Sequence, residues 1–165
     1  MAEERTEERK HGIIGGLVDT FYHTLDPKSR LTIPSEWRDA MGGAAYVYVF
    51  PDAVEDCLDL IPMREMEKVL ADLQKSDLFD EDADAMAQAL AQHAQMLKID
   101  AAGRIRIGDA LLNFAGITGR VTMVGAFRKA KLWAGEKKPA QPSLDLSSFR
   151  AAIAKRKTAR QGGGL

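Results

Sequence analysis

One stretch of this chain occurs twice. HTLDPKSRLTIPSEWRDAMG, residues 23–42, aligns with LKIDAAGRIRIGDALLNFAG, residues 97–116, at a constant offset of 74 that carries Asp26 onto Asp100 and Arg30 onto Arg104. The parallel continues beyond these stretches: each is followed by a β-rich run, YVYVF at residues 46–50 and VTMVG at 121–125, and then by a second run, around Leu58 to Ile61 and Lys131 to Trp133. Two copies are too few for a solenoid, whose units need at least three to bury a continuous core. The fold must instead be built from two similar units within 165 residues, the length of one domain or of two very small ones.

Within each copy the period of the apolar residues changes. Leu31 and Ile33 alternate with Thr32, and Ile105 and Ile107 alternate with Arg106, the period of two that marks a half-buried strand. Upstream of each strand is a turn. Pro27 presets φ for the first central position of Asp26-Pro27-Lys28-Ser29-Arg30, and the Asp26 carboxylate can accept an N–H two residues on. In Asp100-Ala101-Ala102-Gly103-Arg104 the glycine stands where a type I turn plus a left-handed residue makes a bulged hairpin. Both copies therefore predict a hairpin tip, with Asp26, Asp100 and Gly103 as its turn residues and with both arginines aimed outward. A short helix is expected after each second strand: Ser35 as N-cap, Trp37, Ala40 and Met41 on the inner face and Gly42 past the end; then Asp109 as N-cap, Leu111, Leu112, Phe114 and Ala115 inside, and Gly116 as the stop.

Between the copies, Met63, Met66, Val69, Leu70 and Leu73 follow helical spacing, and Met86, Leu90, Ala94 and Leu97 suggest a second helix. The resulting plan is α+β: an acidic flexible leader at 1–15, a first module at 16–62, a helical connector at 63–96, a second module at 97–135 and a basic flexible tail at 136–165 with one short helix from Ser147 to Lys157. Half-modules of this kind present strand-forming apolar faces that one chain is not expected to cover alone, which predicts self-assembly.

Charge is distributed unevenly. The formal net charge is −1, so any nucleic-acid contact must come from a local patch. Residues 137–165 hold seven cations against Asp145, a net of +6, whereas the connector carries eight carboxylates against Arg64, Lys68 and Lys75. The connector is a poor partner for phosphate. No apolar run approaches the length of a membrane span, and the first ten residues, with Glu3, Glu4, Glu7 and Glu8, lack the basic-then-apolar order of a secretory signal; the expected location is the cytoplasm. The single cysteine, Cys57, excludes an intrachain disulfide and reads as a small buried hydrophobe.

Nothing in the chain points to catalysis. His11, His23 and His93 lack metal-ligand spacing, the glycines at 12–16 form no phosphate-cradling loop, and no nucleophile elbow is present. The acidic stretch 80–84 reads as a solvated helix start. Trp37, Phe114 and Trp133 lie on apolar faces and are expected in the core. No cofactor, metal or small-molecule substrate is expected.

The two D-x-x-x-R hairpins, HTLDPKSRLTIP at residues 23–34 and KIDAAGRIRI at 98–107, resemble those of the MraZ proteins, and the similarity extends over roughly residues 16–135. The resemblance implies two tandem AbrB-like swapped-hairpin β-barrel half-modules. It implies a cytoplasmic, nucleoid-associated bacterial transcription factor that controls the division and cell-wall gene cluster containing its own gene, binds double-stranded DNA and assembles into a closed, octamer-like ring. DNA contacts then come from the first hairpin, through Lys28 and Arg30, with Arg104 and Arg106 as the candidates of the second. The family's hairpin usually reads D-x-K-G-R; here Ser29 stands at the glycine, and Gly108 stands where proline is common. For both arginines the competing reading is an ion pair with Asp26 or Asp100 that stiffens the turn and binds nothing; Arg30 is assigned to DNA and Arg104 principally to structure. The alternative function is a ring-forming interaction scaffold that has lost DNA binding.

Overall fold

The computed structural model describes residues 15–135 and 146–162; nearly all of the acidic leader, and residues 136–145 and 163–165 of the tail, lie outside the described residues. The elements in chain order are β1 (Thr20–Thr24), β2 (Arg30–Thr32), α1 (Ser35–Ala40), β3 (Tyr46–Pro51), β4 (Leu58–Pro62), α2 (Met63–Gln74), α3 (Glu81–His93), β5 (Gln95–Lys98), β6 (Arg104–Arg106), α4 (Asp109–Ala115), β7 (Arg120–Gly125), β8 (Ala130–Ala134) and α5 (Ser147–Gly162). The architecture is mixed α+β with antiparallel sheets.

The strands do not pair within their own copy of the repeat alone. A six-stranded sheet runs β1-β7-β8-β4-β3-β5, and β2 and β6 form a separate two-stranded ribbon. The first strand of each copy lies beside the third strand of the other: Thr24 faces Arg120 in β1·β7, and Lys98 faces Tyr46 in β5·β3. At two places a residue faces its own repeat equivalent, Leu31 opposite Ile105 and Leu58 opposite Leu132. An approximate two-fold axis therefore passes through both pairs. The loops obey it as well: Ile33 N–H donates to Gly103 C=O at 2.9 Å and its equivalent Ile107 donates to Ser29 C=O at 3.2 Å, while Leu25 donates to Gly119 and Ile99 to Ala45.

This interlocking corrects the reason given above for assembly. Leu31, Ile33 and Trp37 of the first copy and Ile105, Ile107 and Leu111 of the second belong to one buried cluster, so the copies cover each other inside a single chain. Strand residues alternate as their period requires, Leu31 and Ile105 inward with Arg30, Thr32, Arg104 and Arg106 on the opposite face of the ribbon.

The helices depart from expectation in four ways. α1 and α4 begin without side-chain caps: Pro34 and Gly108 hold the cap positions, and Ser35 and Asp109 are already the first helical residues. In α1 the N–H of Trp37, one of those a cap would serve, turns back onto Pro34 C=O at 3.1 Å, whereas in α4 the N–H of Leu112 on Gly108 C=O at 3.2 Å is already an ordinary helical bond. At the other end Gly116 does take the left-handed conformation that stops α4, φ +64°. Second, α3 ends at His93, and Leu97 belongs to β5, because pairing with β3 takes over from the helical period. Third, Phe114 is 43% exposed, in contrast to the buried Trp37, whose indole N–H donates to Val18 C=O at 2.7 Å and whose ring meets Phe21 edge-on. In the tail, helix α5 runs to Gly162, five residues beyond the expected Lys157.

Candidate nucleic-acid interface

Each hairpin tip is closed by its aspartate. The Oδ1 of Asp26 accepts the backbone N–H groups of Lys28 and Arg30, both at 2.9 Å, and its Oδ2 accepts Nε of Arg30 at 2.5 Å. Asp100 repeats the arrangement with Ala102 N–H at 3.0 Å, Arg104 N–H at 2.9 Å and Arg104 Nε at 2.9 Å. The main chain completes the loop, with Ser29 N–H on Asp26 C=O and Gly103 N–H on Asp100 C=O. The third turn residue is left-handed in both, Ser29 at φ +59° and Gly103 at φ +79°. Ser29 therefore adopts the conformation that glycine adopts in the second copy, at a cost of about 1–2 kcal/mol for a residue with a Cβ.

The clamp sets the charge of the tips. Partial desolvation alone would raise the Asp26 carboxyl, but the Arg30 N–H and guanidinium outweigh it and hold it below the ordinary carboxylate range. The Arg104 N–H is the main reason that Asp100 is lowered too. Both aspartates are thus ionised and both arginines held. Because the clamp uses Nε, neither guanidinium makes a hydrogen bond through its Nη nitrogens among the described residues; the nearest carboxylate contact is Arg104 Nη1 to Asp26 Oδ2 at 4.0 Å. The arginine side chains are 30% and 34% exposed, so they lie back against the turn instead of standing free in solvent. Expectation needed that correction: the outward aim is limited to the guanidinium edge.

The ribbon brings the four sequence-predicted cations together. Arg30 lies opposite Arg106 and Thr32 opposite Arg104, and Lys28 is exposed at the tip beside them. Like charges directly across a strand pair repel; the two aspartates offset that only in part, leaving four cations against two carboxylates. Arg106 is exposed and has no partner among the described residues.

One cation at this site escaped the sequence reading. Arg38, in α1, lies over the second turn, so close that a Cβ at Gly103 would come within 2.5 Å of its Cζ, and its Nε is buried without a hydrogen-bond partner. A basic residue in the last turn of a short helix carries no local sign of crossing to the other copy of the repeat. The turn glycine was legible; its neighbour was not.

A second polar cluster lies at the β4·β8 joint. The thiol of Cys57 and the carboxylates of Asp52 and Asp59 are buried within 4.8 Å of one another. Lys129 reaches Asp59 at 3.0 Å, and Lys131 reaches Asp52 at 3.5 Å and Glu55 at 2.6 Å. Two ammonium groups already supply the positive charge that these carboxylates attract, and burial pushes the Cys57 thiol up to about 12, far from a thiolate at neutral pH. The cluster reads as an internal ion-pair network that ties the two copies together.

Residues 17–89 match the family described as "MraZ protein, putative antitoxin-like". The chain is 33% identical over 127 residues to the transcriptional regulator MraZ of Pseudomonas savastanoi pv. phaseolicola, covering 76% of this chain and 84% of that protein. It is 32% identical over 123 residues to the protein of that name in Methylocella silvestris, covering 72% and 73%, and 28% identical over 120 residues to the one in Clostridium tetani, covering 73% and 82%.

Proposed function

The chain belongs to the MraZ family, and we propose that it is a transcriptional regulator that binds double-stranded DNA through the β2·β6 ribbon. The observation that carries this reading is the face on which Arg30, Arg104 and Arg106 converge with Lys28 at its tip. A two-stranded ribbon fits the major groove of B-DNA, and guanidinium edges suit guanine or phosphate. The Asp–Arg clamps support it physically, since side chains held in place before binding lose less entropy on contact. Arg38, with its idle Nε, adds a donor beside the second tip. The function is binding, not catalysis.

The finer reading follows the resemblance. The crossed strands of the two copies are read as the swapped-hairpin, AbrB-like arrangement, and the target as repeats upstream of the protein's own gene in the division and cell-wall cluster, which places the protein at the nucleoid in the cytoplasm. Several chains then form a ring, octamer-like, that repeats weak ribbon contacts along DNA. The strands β1 and β5, which stand at the two ends of the six-stranded sheet formed by the described residues, support association. The test is fluorescence anisotropy on a duplex from upstream of the gene and on a scrambled duplex of equal length, over a series of salt concentrations. Tight binding of the first, and weak, steeply salt-dependent binding of the second, is expected. Equal affinity for both duplexes would overturn sequence recognition, and binding of neither would favour a scaffold that has lost DNA.

A further inference from the structure

Two surfaces of this chain match in chemistry and are both uncovered by any of the described residues. The first is a groove of about 430 Å³ between α2 and α3, with Leu70, Leu73 and Leu78 among its apolar walls and Asp77, Asp80 and Asp84 along it. Leu78 of its lining and the next residue, Phe79, are each 85% exposed, and α3 buries no residue at all. Two helices joined by a short turn cannot bury both apolar faces; a third helix can complete the packing. The region from Met63 to His93 carries eight carboxylates against three cations, a net of −5 with histidine neutral.

The second surface is α5. Leu146, Phe149 and Ile153, spaced by three and four residues, form an exposed apolar stripe on one face. Arg150, Lys157 and Arg160 continue that face at helical spacing, and the helix holds five cations and no carboxylate, a net of +5. No residue of α5 is buried and none lines the groove. An isolated basic helix gains nothing from an apolar stripe, whereas a phosphate-binding segment needs only the charge.

We propose that α5 of one chain docks in the acidic α2–α3 groove of a second copy, with its apolar stripe against Leu70, Leu73 and Leu78 and its basic residues against Asp77, Asp80 and Asp84. The second copy is the occupant because, among the described residues, a single chain leaves both complementary surfaces open. The contact is head-to-tail, so it can propagate from chain to chain. It is independent of DNA binding, for neither surface includes a ribbon residue.

Because α5 contributes no buried residue, a chain ending at residue 145 keeps its core and can be used as the receptor. A fluorescein-labelled peptide of residues 146–162 should bind it saturably at micromolar concentration, more weakly as salt is raised. Phe149→Ser with Ile153→Ser in the peptide should weaken binding at least tenfold, and so should Leu78→Ser in the receptor, an exposed position whose loss leaves folding intact. In sedimentation, the full chain should associate more strongly with rising concentration than the chain ending at 145, and excess peptide should remove the difference. Absence of peptide binding, or binding indifferent to these substitutions, overturns the proposal. A groove that is already blocked in a full chain diluted to monomers also overturns it, in favour of docking within one chain. A peptide that binds duplex DNA but not the receptor assigns α5 to DNA instead.

Discussion

In the first hairpin Asp26 holds Arg30 through Nε and gathers the N–H groups of Lys28 and Arg30; in the second Asp100 does the same for Arg104, with Ala102 in the place of Lys28. The backbone is shared even where the residues are not, since Ser29 accepts the left-handed conformation that Gly103 adopts freely. What differs is the surroundings. The second tip is roofed by Arg38 and its glycine is buried, whereas the position equivalent to Arg38 in the second copy is Leu112. The pair teaches that the Asp–Arg clamp sets the shape of the tip, and it divides the hairpins by their surroundings: the left-handed residue of the second carries a roof, Arg38, that comes from outside the turn.

The largest expected effect tests that division directly. Arg30→Ala should weaken binding to the upstream duplex by about thirtyfold, near 2 kcal/mol, with unchanged sedimentation, and Arg104→Ala should cost less in binding and more in thermal stability. Equal losses for the two would show the hairpins to be interchangeable. Next, Gly103→Ala should destabilise the chain by about 2 kcal/mol in urea denaturation, because a Cβ there demands both a left-handed alanine and displacement of Arg38. Ser29→Gly should act in the opposite direction and raise stability by up to about 1 kcal/mol, its relief of the turn being partly offset by a more flexible unfolded chain. If it destabilises instead, the serine side chain holds the turn.

Smaller still is Lys28→Ala, which should lower affinity for specific and scrambled DNA alike and reduce the slope of log affinity against log salt by about one, as expected for one lost phosphate contact. Ala102 is exposed at the equivalent place in the second tip, so Ala102→Lys should restore the slope if both tips meet phosphate alike. The smallest effect is on acid stability. The Asp26 and Asp100 carboxyls are both lowered in the folded protein, so their contribution is present above the ordinary carboxylate pKa and fades as pH falls through the folded values. Asp26→Asn and Asp100→Asn should each flatten the loss of melting temperature below about pH 4. A steeper acid loss in either variant would mean that its aspartate is not stabilising the turn.

Much of the fold was legible because its determinants are local. The Asx-type turns, the alternation around Leu31 and Ile105, the helical period at Met63 to Leu73 and the stop at Gly116 all follow from residues within a few positions of one another, and the repeat follows from matching two such local patterns. So did the candidate cations at 28, 30, 104 and 106. Their convergence on one ribbon did not: the turns say that two tips exist, and nothing in either tip says that they lie side by side.

The sequence by itself determined the repeat, the hairpin chemistry and the acidic and basic segments, since each depends on short-range sterics, hydrogen bonding and composition. Only the tertiary structure decided that β1 pairs with β7 and β5 with β3, that Arg38 roofs Gly103, that Phe114 faces outward and that the two copies bury each other's apolar faces. The physical reason is that a strand's hydrogen-bonding edge and an apolar face are non-specific as to partner. Which partner they meet is settled by how two related units, some 74 residues apart, close on one shared core.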